Sequence, residues 1–191
     1  MKLSDILAGD RVTVSCELFP PKTGAALEKV EDVLRDTAAL GPDFISVTYG
    51  AGGSTSKRTL ELASRLQDVY HVPALAHLTC VSSTREEVAA QAARLQAAGL
   101  GDILALRGDV PQDASFPSPA QFRYASELVS YLRGLPGGGD LCIGGACYPE
   151  GHVECPHFSE DLDNLKRKVD AGLDFLTTQM FFDNDVLYRF L

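Results

Sequence analysis

A chain of 191 residues with 45% apolar and 23% charged residues is long enough for one domain around a real core, which excludes a disordered polymer. Its formal net charge of -9 opposes wholesale binding to nucleic acid or an anionic membrane, and the longest basic run, Lys166-Arg167-Lys168, is too short to offset that field. No apolar stretch approaches the roughly twenty residues that span a bilayer. Residues 1–10 interrupt their apolar positions with Asp5 and offer no cleavage site, so the expectation is a cytoplasmic protein. Five cysteines, an odd number without short paired spacing, fit reduced thiols rather than a disulfide framework.

The first apolar run, residues 12–19, holds Val12, Val14 and Phe19 and stops at Pro20-Pro21, which cannot donate to a sheet ladder; it predicts a strand. Leu27, Val30, Val33, Leu34, Thr37 and Leu40 then recur at helical spacing as far as Gly41-Pro42. The same grammar predicts a strand over 44–48 and a helix over 56–70, then a strand over 74–78 and a helix over 84–98. Ser83 with Glu86 reads as the capping box of that third helix. A fourth strand over 103–106 leads through a proline-containing loop to a helix near 124–135, and Gly137-Gly138-Gly139 breaks the chain before a fifth strand over 141–148. A helix over 159–171, a sixth strand over 175–180 and the beginning of a last helix carry the pattern to Leu191.

Strict strand-helix alternation argues for a parallel sheet, either doubly wound or closed into a barrel. There is no Gly-x-Gly-x-x-Gly turn after the first strand and no Gly-Lys-Ser/Thr element, so the barrel is the expectation. The chain then reads as a single domain over 1–191, an incomplete (β/α)8 TIM barrel with about six of the eight units and truncated at its carboxyl end. In each unit the apolar run stops at a polar residue: Glu17, Thr48, His77, Asp109, Tyr148 and Gln179. Parallel strands would carry these to one end of the sheet, which makes an enzyme the leading reading.

Taken singly, the candidates admit plainer readings. Glu17 lies in a run suited to burial, where desolvation favours the protonated form and a proton-donor role; the alternative is a strand-end glutamate paired with Lys22. Arg107-Gly108-Asp109 offers either backbone approach to a flat ligand or an Arg-Asp loop clamp. His77 on an apolar strand fits a hydrogen-bonded core histidine as well as a ligand contact. Residues 50–56 read as a tight turn and helix cap in preference to a phosphate nest. Cys147, His152, Cys155 and His157 match no familiar zinc spacing, and no metal is expected.

Read together and in order, Cys16-Glu17-Leu18-Phe19-Pro20-Pro21, Val47-Thr48-Tyr49-Gly50-Ala51-Gly52-Gly53-Ser54, His77-Leu78-Thr79-Cys80, Leu106-Arg107-Gly108-Asp109, Tyr148-Pro149-Glu150-Gly151-His152, Leu165-Lys166-Arg167-Lys168-Val169-Asp170-Ala171-Gly172 and Thr178-Gln179-Met180-Phe181-Phe182 resemble the methylenetetrahydrofolate reductase family from Val12 onward. The resemblance implies a flavoprotein barrel of one-carbon metabolism and methionine biosynthesis. It reduces 5,10-methylenetetrahydrofolate to 5-methyltetrahydrofolate, with non-covalent FAD passing hydride to the one-carbon unit.

By the same resemblance Glu17 is the general acid that opens the folate's bridging ring, Asp109 sits near flavin and folate, and Gln179 contacts both. Thr48, His77, Arg107, Gly108, Asp109, Tyr124, Ala146, Tyr148, His152, Asp161 and Lys168 match the family's FAD contacts. Two positions depart from its pattern: Val153 replaces a common proline and Met180 a common aromatic. The resemblance also implies a homo-oligomer and two missing strands that bring folate contacts. It leaves the electron donor open between NADH, NADPH and an electron-transfer partner protein. The alternative is a non-catalytic flavin-binding barrel fragment, because strands one and six would leave open edges.

Overall fold

The apolar runs form strands, and the 3.6-periodic segments between them form helices, because burial of one face satisfies both periods. The computed structural model describes residues 2–21, 29–49, 56–81, 83–110 and 121–191. A short helix α1 (Leu3–Leu7) precedes β1 (Ser15–Leu18), α2 (Val30–Ala39), β2 (Phe44–Val47), α3 (Ser56–Asp68), β3 (Ala74–Thr79) and α4 (Arg85–Ala97). Then follow β4 (Asp102–Leu106), α5 (Ala125–Gly134), β5 (Cys142–Cys147), α6 (Phe158–Asp170), β6 (Phe175–Thr178) and α7 (Asn184–Phe190). Among the described residues every strand pairing is parallel and the spatial order follows the chain, β1 to β6. A doubly wound sheet reverses its order at a switch point; this one never does, and it forms a curled half-barrel.

The period of two along each strand separates two apolar layers. Ile45, Val47, Ala76, Leu78, Ile103, Ala105 and Ile143 face outward and join Leu62, Leu66, Val88, Leu95, Leu128 and Leu132 of the helices in one cluster. Leu75, Leu104 and Cys142 face inward and form a second cluster with Leu3 of α1, flanked by Phe44, Leu106 and Phe175. Leu3 is 1% exposed, and its backbone N–H donates to Asp102 Oδ1 at 2.8 Å, so α1 closes the amino-terminal end of the inner face. The carboxyl end of that face is left to polar side chains.

Several boundaries differ from the patterning. The first strand starts at Ser15 rather than Val12, and Val12, Val14 and Phe19 are 84%, 60% and 75% exposed, because β1 has no covering neighbour on its outer edge among the described residues. The capping box of α4 is Thr84 with Glu87, not Ser83 with Glu86: Glu87 N donates to Thr84 Oγ1 at 3.2 Å, and Thr84 N to Glu87 Oε2 at 2.7 Å. Both pairs satisfy the sequence rule, and the extended backbone at Thr84 (φ -77°, ψ 166°) decides between them. The sixth strand ends at Thr178, two residues short of the predicted 180. α1 had no sequence counterpart: five residues are too few to establish a helical period. Lys22, Leu27 and residues 50–55 lie outside the described residues.

Gly144 in β5 is required by packing. A Cβ there would sit 2.3 Å from the Phe175 ring on β6, and at Gly145 one would sit 2.5 Å from Leu173. Gly144→Ala is expected to destabilise the fold by about 1–3 kcal/mol in urea titration through overpacking, whereas Gly134→Ala meets open space and should be silent.

Burial holds the Asp102 carboxyl above the ordinary carboxylate range, against the hydrogen bond from Leu3. A carboxyl with a raised folded-state pKa binds its proton more tightly when folded, so this group's contribution to stability falls as pH rises from its unfolded value, about 4, through its folded one. Asp102→Asn keeps an acceptor for Leu3 without a charge. It should therefore be the more stable protein near neutral pH, with the difference vanishing below about pH 3, as urea titrations at the two pH values will read.

Candidate functional site

The carboxyl ends of the strands carry two groups of polar side chains. On the β1–β3 side, Glu17 is the cross-strand partner of Ser46, and Ser46 Oγ donates to Glu17 Oε2 at 3.1 Å. His77, from the inner face of β3, places Nε2 3.4 Å from the same Oε2. This is electrostatic contact without hydrogen-bond alignment, so Nε2 is buried with no hydrogen-bond partner among the described residues. Burial holds the His77 imidazole below its ordinary range, opposed by the charge of Glu17, which favours a neutral ring. The Glu17 side chain itself is 46% exposed, so the apolar flank does not enclose it as expected. Thr48 continues this end of β2, its N–H donating to Leu18 O at 2.9 Å and its carbonyl accepting from Thr59 Oγ1 at 2.9 Å.

On the β4–β6 side, Arg107, Tyr124, Ala146, Tyr148, His152, Asp161 and Lys168 line one cleft of about 480 Å³. Tyr148 and His152 meet edge to face, centroids 4.7 Å apart. His152 N–H donates to Asp161 Oδ2 at 2.9 Å, and His152 Nδ1 accepts from Glu154 N at 3.1 Å, which ties the loop after β5 to the first turn of α6. Lys168 reaches back from α6 to donate to the Ala146 carbonyl. Burial holds the Lys168 amine below its ordinary range, with Cys147 and Asp161 opposing. Burial likewise raises the Cys147 thiol, against the nearby ammonium, and the Tyr148 phenol, against Arg107.

Arg107 settles one of the open alternatives. Its guanidinium forms a bidentate pair with Glu154, both contacts at 2.7 Å, and no Arg107–Asp109 clamp forms. The pair lowers the Glu154 pKa and raises that of Arg107, in each case chiefly through the hydrogen bonds between them. Asp109 is exposed beyond β4, and its field reaches the Tyr148 phenol. Packing by itself requires glycine at position 108: at φ +86° a Cβ would lie 2.6 Å from Val81 Cγ1. Gln179 follows β6 with its N–H donating to Cys147 O at 2.7 Å, while its side-chain Oε1 accepts from Met180 N at 3.0 Å.

Thr48, His77, Gly108, Glu17, Asp109 and Gln179 therefore share the carboxyl end of the sheet but do not line this cleft. Cys155 Sγ donates to His157 O at 3.4 Å, and among the described residues no group of three or more His, Cys, Asp or Glu is placed to hold a metal ion. Ser46, Glu154 and Asn164 are among the lining or bridging residues that escaped the sequence reading. Ser46 and Glu154 act through partners 29 and 47 residues away, a distance no local pattern spans. Asn164 was legible, since Asp161, Asn164, Leu165 and Lys168 fall on one face of α6 at helical spacing, and all four line the cleft.

A sequential parallel sheet with helices outside and a polar cleft at the strands' carboxyl ends defines an α/β protein of barrel type. The same fold is found in a solved structure, an uncharacterized protein from Clostridium thermocellum that binds two copies of 5-methyl-5,6,7,8-tetrahydrofolic acid. The TM-score is 0.60 at 14% identity, over 98% of this chain and 61% of that one. Residues 2–191 match the family model for methylenetetrahydrofolate reductase. Methylenetetrahydrofolate reductase 1 of Schizosaccharomyces pombe is 39% identical over 97% of this chain and 32% of its own length. A probable methylenetetrahydrofolate reductase (NADH) of Oryza sativa subsp. japonica is 36% identical over 100% of this chain and 34% of its own. The chain belongs to the methylenetetrahydrofolate reductase family and spans about a third of the length of these two relatives. Among the described residues no helix is long and apolar enough to cross a membrane.

The tie between the loop after β5 and α6 is testable by hydrogen exchange. Asp161→Ala should speed exchange of the His152 amide by about tenfold, while Asp161→Asn, which keeps an acceptor, should leave it near the native rate.

Proposed function

We propose that the chain carries the cofactor-binding portion of a flavin-dependent methylenetetrahydrofolate reductase. In this reading the parent protein reduces 5,10-methylenetetrahydrofolate to 5-methyltetrahydrofolate by hydride transfer from reduced FAD. The observation that carries it is the convergence of Arg107, Tyr124, Ala146, Tyr148, His152, Asp161 and Lys168, all assigned to FAD by the family resemblance, on a single cleft. The residues suit that group. The cleft falls in the size range of small-molecule sites, and Arg107, Arg167 and Lys168 offer cations to an anionic ligand beside the carboxylates Glu154, Glu160 and Asp161; outside the cleft, the buried Nε2 of His77 lacks a hydrogen-bond partner among the described residues. Thr48, His77, Gly108 and Asp109 complete the set that would hold FAD.

When bound, FAD supplies a two-electron carrier that side chains alone cannot provide. The chain's own residues then divide the remaining work. Glu17 holds the proton for the folate, Asp109 opposes growth of negative charge at its end of the sheet, and the Gln179 amide donates and accepts without changing charge. In this reading two more strand-helix units complete the barrel. Among the described residues β1 and β6 each pair on one side only, and Leu176, Met180 and Phe182 stand 40%, 72% and 91% exposed beside the β6 edge. Such edges also favour self-association. The rice relative's name favours NADH as electron donor, with NADPH or an electron-transfer partner protein as the other outcomes.

The test is a pair of half-reactions on the intact protein loaded with FAD. Methylenetetrahydrofolate is expected to reoxidise the reduced flavin, read by recovery of its visible absorbance; FAD binding without reoxidation would favour the non-catalytic flavin-binding fragment. Glu17→Gln should bind FAD and accept electrons normally yet slow the folate half-reaction by about 100-fold or more. Equal losses in both half-reactions would contradict an acid that serves the folate alone.

A further inference from the structure

The two groups that approach the Glu17 carboxyl do so at one oxygen. Ser46 Oγ lies 3.1 Å from Oε2, and His77 Nε2 lies 3.4 Å from the same atom, whereas among the described residues no hydrogen bond reaches Oε1. Both groups are held firmly. Ser46 and His77 are each 7% exposed, and Ser46 stands opposite Glu17 in the β1–β2 register, so the contact is set by backbone pairing rather than by a mobile loop.

A protonated carboxyl has one O–H and one carbonyl oxygen, and a donor aimed at one oxygen makes that oxygen the carbonyl. We infer that Ser46 is a positioning residue for Glu17: its hydroxyl fixes Oε2 as the accepting oxygen, so the transferable proton sits on Oε1. The inference rests on the reading of Glu17 as the acid of the folate half-reaction. In the transfer the Oε1–H bond breaks, the proton passes to the substrate, and the bonding pair stays on the carboxylate. Ser46 then stabilises the charge left behind with the same hydrogen bond, now charge-assisted and stronger. Without the hydroxyl the carboxyl can rotate or place its proton on Oε2, turned away from the substrate.

The test compares Ser46→Ala, Ser46→Val and Ser46→Thr in the intact protein. Threonine keeps the hydroxyl, and valine has nearly its shape without one, so this pair decides the matter even where alanine weakens the fold. In the FAD-free protein, isotope-edited infrared spectra of carbon-13 glutamate, assigned by the band lost in Glu17→Gln, should show the Glu17 carboxyl band shifted in the Ala and Val variants and native in Thr. In the FAD-loaded protein the Ala and Val variants should slow the folate half-reaction by about tenfold, with flavin reduction and FAD affinity unchanged, and Thr should restore the rate.

Identical spectra in Val and Thr, or a native folate rate in both Ala and Val, would overturn the inference. A silent Glu17→Gln in the folate half-reaction would remove the acid reading, and the infrared comparison would still decide whether Ser46 holds the carboxyl.

Discussion

The alternation of side chains along parallel strands in sequential order is the constraint on which the rest of this molecule depends. Because the register pairs Glu17 with Ser46 and the period is two, Glu17, Ser46 and His77 must share the inner face at one end of the sheet. A shift of one residue in the β1–β2 pairing would send Glu17 outward under the helices and bring Cys16 and Leu18 into the site. The outer apolar cluster resists that shift, since Cys16 and Leu18 pack against it. The placement of a chemically active carboxyl is thus secured by hydrophobic burial on the opposite face of its own strand.

The same economy of space shapes the other side. Gly144 and Gly145 carry no side chain because Phe175 and Leu173 occupy the volume, which lets β5 and β6 pack closely and leaves the polar residues for the strand ends. Beyond those ends the charges are compensated locally: Arg107 by Glu154, Lys168 by the Ala146 carbonyl. A ligand entering this cleft must therefore exchange existing contacts for its own, and its affinity will reflect the difference between two sets of hydrogen bonds rather than the sum of one. Within the cleft the cations Arg107, Arg167 and Lys168 stand beside the carboxylates Glu154, Glu160 and Asp161, so a chain with a net charge of -9 meets its ligand there with a locally balanced set of charges.

Much of this was legible in the sequence where the controlling interaction is local. Hydrophobic period marked each strand and every helix but α1, and the polar residue ending each apolar run falls at the carboxyl end of the sheet in the six units. Helical spacing on α6 carried Asp161, Asn164 and Lys168 to one cleft. Where two local readings satisfied the same rule, as at Ser83 and Thr84, only the backbone angles chose. The partner of Arg107 could not be read at all, because Asp109 lies two residues away and Glu154 forty-seven. Proximity in sequence favoured the wrong carboxylate.

What the sequence by itself determined is the alternating α/β order, the polar strand ends and the family, because these follow from local periodicity and from short motifs in a shared order. What only the tertiary structure decided is which of those polar residues meet: Glu17 with Ser46 and His77, Arg107 with Glu154, and the cleft residues apart from Glu17 and Gln179. The reason is physical. A strand's period specifies which face a side chain takes, but distances between side chains on different strands depend on register, curl and loop path, which are set by packing the whole sheet at once.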